Sequence, residues 1–219
     1  RVISRPTTRW RTDAPICNEI VACFSGGASL NADVKHQGSC LDLMTVTGLV
    51  FDLPHAPWMA EVLRIRAACD AARLCFPIEI TVVGSSGLGW FSPVVGRDAL
   101  VEKVRDVARR FSPFKFRFGS VERFPNSNVY YLAPANDAPF HDFQSKIAGC
   151  GLRFEATPYS YTPHCTIAAL SDDVSDKAHN ELMAFPVPDH EIQVPSVSFY
   201  TVETESQRCY QHERISLGV

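Results

Sequence analysis

A chain of 219 residues, 46% hydrophobic and 21% charged, can bury a sizeable core and has the make-up of an ordinary water-soluble protein. Its net charge of -3 argues against a general nucleic-acid coat, and no duplex-DNA partner is expected, while a small basic pocket is compatible with it. No apolar run approaches the ~20 residues that span a membrane, so no membrane partner is expected.

Residues 1–45 show little periodicity, contain Gly26, Gly27 and Gly38, and are expected to form an irregular N-terminal extension ahead of one domain over 46–219. The chain opens on Arg1 rather than methionine, as a trimmed chain or a processed product would. Arg1, Arg5, Arg9 and Arg11 precede its first acidic residue, Asp13, and fit a solvated tail better than a targeting remnant. "TGLVFDLP" then predicts a strand ending at Pro54. "APWMAEVLRIRAACDAARL" (56–74) predicts a helix, with Met59, Val62, Leu63, Ile65 and Ala68 near helical spacing. "FPIEITVVG" is a β-branched strand closed by Gly84, followed by the loop "SSGLGWFSP". A second helix is expected at 97–111, with Leu100, Val101, Val104 and Val107 inward.

The second half repeats the rhythm. "FKFRFGSVERFP" (114–125) alternates Phe114, Phe116 and Phe118 with Lys115 and Arg117, the period-2 signature of a half-buried strand with a solvated basic face. "NVYYLAP" predicts a strand, 139–150 a helix, "YTPHCTIAAL" (161–170) a strand and 171–183 a short helix. Two closing strands follow at 191–203 and 209–217. No linker divides the chain, so the expectation is one α+β domain. It has two similar lobes, each an antiparallel sheet with helices outside, facing across a central cleft. The eight cysteines form no CxxC pair, and Cys69, Cys75 and Cys165 fall inside apolar patterns as small hydrophobes. Reduced thiols in a cytoplasmic-type compartment are expected.

Two strands carry polar chemistry. His164 and Thr166 sit two residues apart on "PHCTIA", so an extended strand points them the same way. Aligned on its threonine, "IEITVV" puts Glu79 where His164 stands and Thr81 where Thr166 stands. A lone HxT is weak, because chance supplies it and a core histidine is the commoner outcome; paired motifs in two similar halves are a better signal. Tyr159, Tyr161 and Trp90 lie beside the motifs and could stack on a nucleobase or simply pack. "GSSGLG" offers backbone N–H groups for an anion but lacks the lysine of a P-loop. Strand alternation turns Cys165 away from His164, and the other histidines have no metal-site spacing. No cofactor or metal is expected.

The element order, the "PHCTIA" string, the "FKFRFGSVERFP…NVYYL" hairpin and the "VSFYTVE…YQHERISL" ending resemble the two-histidine phosphoesterase superfamily. That superfamily includes LigT-like RNA 2',5'-ligases and cyclic nucleotide phosphodiesterases. The resemblance covers about 46–217. It implies two HxT/S motifs facing each other, with histidines as general base and acid on a 2',3'-cyclic phosphate or 2',5' linkage, without metal. By position, His164 and Thr166 match the second motif and Thr81 matches the hydroxyl of the first, while Glu79 departs from the family's histidine. A carboxylate repels a phosphodiester by about 1 kcal/mol at 4 Å in water and about 4 at an effective dielectric of 20. The expected function is hydrolysis of a cyclic phosphate or 2',5'-linked small nucleotide or RNA end. Glu79 is expected as base and protonated His164 as acid, the carboxylate raising the imidazole pKa. The alternative is a catalytically silent module that binds a nucleotide, an RNA or a partner.

Overall fold

The computed structural model describes residues 45–170, 174–203, 206 and 208–219, so the expected N-terminal extension lies almost wholly outside the described residues. The elements are β1 (Thr45–Asp52), α1 (Trp58–Cys69), a 3-10 turn (Ala71–Cys75), β2 (Glu79–Val83), α2 (Arg97–Arg109), β3 (Phe114–Phe116) and β4 (Phe118–Arg123). They continue with β5 (Val129–Pro134), α3 (Ala138–Ala148), β6 (Cys165–Ala169), α4 (Asp176–Met183), β7 (Ile192–Val194), β8 (Ser196–Glu203) and β9 (Arg208–Ser216). Three antiparallel sheets result: β2-β1-β8-β9, β4-β5-β6, and the ribbon β3-β7. This is the α+β class expected. None of the described helices is long and apolar enough to cross a membrane.

The helices interlock the two larger sheets. α1 follows β1 yet packs on β6 of the other sheet, and α3 follows β5 yet packs on β2. Alternation sorts the four-stranded sheet into two faces. Leu49, Phe51, Ile80, Val82 and Phe199 join Val104, Phe140 and Phe143 in the main core. There Phe51 meets Phe140 and Phe114 edge to face at 5.3 and 5.5 Å. Val50, Tyr200 and Val202 form a smaller cluster with Phe76, Trp90 and Cys209 packed on it.

Several expected boundaries shift. The helix over 56–74 stops at Cys69, because Asp70 leaves helical geometry (φ -148°, ψ 55°) and its carboxylate accepts from Ala169 N–H at 2.7 Å. The strand over 114–125 breaks at Arg117, whose carbonyl accepts from Ala135 N–H; the two pieces serve different sheets. Phe116 and Phe118 remain buried on either side of the break, edge to face at 5.0 Å. The helix expected at 171–183 starts at Asp176, with 171–173 outside the described residues. Leu63 is exposed rather than inward. Cys69 and Cys75 are exposed too, and only Cys165 of the three behaves as a core residue.

Candidate functional site

The site is built where β2 and β6 come together, and a buried arginine holds them there. Arg66 of α1 is 1% exposed. Its guanidinium donates to Thr166 O (2.6 Å) and Ile167 O (3.2 Å) on β6, and to Phe76 O (2.9 Å), Arg73 O (3.3 Å) and Pro77 O (3.4 Å) ahead of β2. Backbone dipoles rather than a hydrogen-bonded carboxylate carry its charge, and burial lowers its pKa. The Cys165 thiol lies against the Glu79 backbone N–H, and burial first, then the Glu79 charge, pushes it to about 12. Asp70 completes the junction, accepting from Arg73 Nε at 3.0 Å through the oxygen that receives Ala169 N–H.

Glu79 and Thr81 share one face of β2, opposite Asp52 and Val50 of β1. The Thr81 hydroxyl donates to both Glu79 oxygens (3.1 and 3.3 Å), and Tyr161 O–H donates to Thr81 O at 3.0 Å. Burial raises the Glu79 pKa from 4.5 to about 8, against the opposing Thr81 hydrogen bond and the charges of Arg66 and Arg73, with Asp52 adding to the rise. Asp52 itself is anchored by Ser196 (2.7 Å), Ser198 (2.8 Å), Gln211 (2.7 Å) and Arg214 (3.2 Å).

His164 stands one residue before β6 rather than on it. Its Nδ1 is 2.6 Å from Thr162 O. A carbonyl only accepts, so Nδ1 carries the proton and the neutral ring's lone pair is on Nε2. Phe124 and Tyr131 wall the ring at 4.9 and 5.3 Å. Burial holds the imidazole pKa below its ordinary 6.5, the Thr162 carbonyl opposes this, and the Arg73 charge adds to it. Burial therefore lowers the His164 pKa where a raised one was expected, and raises that of Glu79. Thr166 pairs with Tyr131 across β5–β6, partly buried.

The loops after and before the two motif strands zip together at one end. Gly87 N donates to Tyr159 O, Glu155 N to Trp90 O, Ser92 N to Arg153 O and Thr157 Oγ1 to Ser85 O. Gly87 N and Gly89 N are committed to Tyr159 O and Ser86 O, so the loop does not present them as an anion cradle. Tyr159 is 57% exposed. Tyr161 is held through its hydroxyl and meets the His141 ring at 5.1 Å, and Trp90 rests edge-on against Tyr200 at 5.7 Å; both are packed parts of the scaffold. Among the described residues, no group of three or more His, Cys, Asp or Glu could hold a metal ion.

Arg66, Arg73 and Tyr200 did not stand out in the sequence. Arg66 carried a usable signal: it falls four after Val62 and seven after Met59, on the stripe of α1 that is buried. Arg73 had none, because its place depends on the turn that ends α1. Its guanidinium, bound through Nε to Asp70, lies 5.6 Å over the Phe76 ring and keeps 22% exposure. Its charge acts on Glu79, His164 and Tyr200 alike.

Residues 51–203 match the family model of the 2'-5' RNA ligase superfamily. No curated protein matches the chain. Among solved structures, E. coli LigT complexed with NADP+ is 16% identical with a TM-score of 0.50, over 80% of this chain and 99% of that one. LigT in apo form is 17% identical with a TM-score of 0.50, over 80% and 98%. At these identities the likeness is one of fold. The matched stretch runs from the end of β1 through β8 and takes in both motif strands, and on it the chain belongs to the 2'-5' RNA ligase superfamily.

Proposed function

We propose that the chain is a phosphodiesterase that opens a 2',3'-cyclic phosphate or cleaves a 2',5' linkage in a small nucleotide or RNA end, with His164 as general base and Glu79 as general acid. One observation carries the assignment: the two groups are set to be neutral together near pH 7, one with a free lone pair and the other with a proton. His164 Nδ1–H is tied to Thr162 O, leaving Nε2 to take a proton from water, while Glu79 holds its proton up to about pH 8. Water attacks phosphorus as its proton passes to Nε2; the P–O bond to the ribose oxygen breaks and that oxygen takes the Glu79 proton. Protonated Glu79 also lacks the repulsion a carboxylate would exert on the phosphate. Arg73 supplies positive charge that remains partly open to solvent, whereas the Arg66 donors are all turned to carbonyls. Thr166 is the candidate donor to a phosphate oxygen in the second motif. Tyr159, exposed at the loop rim, is the candidate base-stacking residue. A nucleotide ligand is consistent with E. coli LigT having been crystallised with NADP+.

The test is a pH–rate profile on a 2',3'-cyclic nucleotide with chelator present. The rate should rise through a midpoint below 6.5 and fall through one near 8. His164→Ala should lose ~10²–10⁴-fold on any leaving group. Glu79→Gln should lose a similar factor on a ribose leaving group but much less on p-nitrophenolate, which departs without a proton. Equal loss on both leaving groups would remove the acid role from Glu79. Binding without turnover would replace the enzyme with the nucleotide-binding module.

A further inference from the structure

A second carboxyl group shares the sheet face with Glu79. Asp52 is the register partner of Glu79 across β1–β2, as Val50 is of Thr81, so the two acids stand directly opposite each other. Side chains so placed have Cβ atoms about 4.5–5.5 Å apart, and like charges there repel. The donors are divided unequally between them. Asp52 Oδ2 accepts from Ser196 Oγ (2.7 Å), Ser198 Oγ (2.8 Å) and Arg214 Nε (3.2 Å), and Oδ1 accepts from Gln211 Nε2 (2.7 Å). Asp52 and both serines are buried. Glu79 receives the single hydroxyl proton of Thr81.

We infer that Asp52 is a positioning residue for the acid: it takes the one negative charge that the facing carboxyl pair holds, and so keeps the proton on Glu79. The inference rests on the proposed acid role of Glu79 and deepens it. A guanidinium, an amide and two hydroxyls converge on Asp52, an arrangement that suits an acceptor-only carboxylate. Two carboxyl groups this close do not readily ionise together, so the better-solvated one carries the charge. Burial contributes most to the hold on the Glu79 proton, and the Asp52 charge adds to it. The other groups facing Glu79 are Arg66 on α1, Arg73 on the 3-10 turn, Tyr161 and Cys165 around β6, Tyr200 on β8 and Cys209 on β9. Burial keeps the phenols and thiols protonated at neutral pH, and the two arginines favour ionised Glu79. Among these described groups, Asp52 is the one that brings negative charge. Once Glu79 has given its proton to the leaving oxygen, two carboxylates face each other. A proton from solvent then returns to Glu79 rather than to Asp52, and the acid is restored for the next turnover.

Asp52→Asn keeps the shape and an oxygen for the serines while removing the charge. Followed by 13C NMR of the carboxyl carbon, the Glu79 midpoint should move down from about 8 by at least about half a pH unit, the effect of a unit charge ~5 Å away even at the dielectric of water. With the cyclic-nucleotide assay the alkaline limb should move with it, so that kcat at pH 8 falls about 2- to 3-fold. A purely structural Asp52 would change the melting temperature and leave both midpoints where they are. The wild type supplies a measurement that does not depend on the variant folding: at pH 6 the Asp52 carbon should report a carboxylate and the Glu79 carbon a carboxylic acid. The NMR titration needs no turnover. Lack of wild-type turnover would therefore overturn the phosphodiesterase reading alone. An unmoved or raised Glu79 midpoint in folded Asp52→Asn, or a wild type with the proton on Asp52, would overturn the role of Asp52.

Discussion

Replacing Glu79 with glutamine should make the protein more stable above pH 5, and by an amount that grows with pH. The folded-state pKa of about 8 lies above the ordinary 4.5, so between those values the folded chain holds a proton that the unfolded chain has released. A raised pKa contributes stability that is fully present below 4.5 and is lost as pH rises through 8. At about 1.4 kcal/mol per pH unit, the loss is ~3 kcal/mol at pH 7 and approaches ~5 kcal/mol above pH 8. The glutamine amide cannot titrate, and its oxygen still accepts from Thr81. The two proteins should therefore unfold at nearly the same urea concentration at pH 4.5 and diverge upward, the variant being the more stable by a few kcal/mol at pH 8. Other titrating groups cancel in the difference. Equal pH slopes for the two proteins, or a variant less stable at pH 8, would refute burial as the dominant influence on Glu79.

Arg66→Met should cost about 3–5 kcal/mol in urea unfolding, because it leaves five carbonyls facing an apolar side chain, and an unchanged urea midpoint would refute the junction role. Gly89→Ala should cost at least about 1–3 kcal/mol, since Gly89 has φ +78° and its added Cβ would sit 1.7 Å from Glu155 O. Amide exchange should quicken in both 84–93 and 151–162 in that variant, and exchange confined to one loop would show that the two are not zipped.

The parts of this chain that could be read from sequence are those whose cause is local. Alternation of Ile80 and Val82 with Glu79 and Thr81 sets two faces on β2, and no tertiary contact is needed to see it. The same holds for Leu100, Val104 and Val107 on α2. What could not be read depends on distant partners. The end of α1 is fixed by Asp70 reaching Ala169, 99 residues away. The break at Arg117 follows from two strands being claimed by different partners, β5 and β7. Most telling is the protonation order of Glu79 and His164. Reference pKa values make the carboxylate the obvious base, and only the depth of the two groups reverses them.

That reversal also removes a difficulty of charge. With Glu79 pushed up to about 8 and His164 held below its ordinary 6.5 by burial, the neutral pair is favoured over the ion pair. A mechanism built on ionised Glu79 would have to work through the rare form and drive a carboxylate against a phosphate, with Arg66 shielded by carbonyls and Arg73 partly neutralised by Asp70. A mechanism built on the neutral pair meets neither obstacle. It uses the proton that burial has already placed on Glu79. Under the proposed assignment, Glu79 as acid and His164 as base still supply the one acid and one base that the reaction requires.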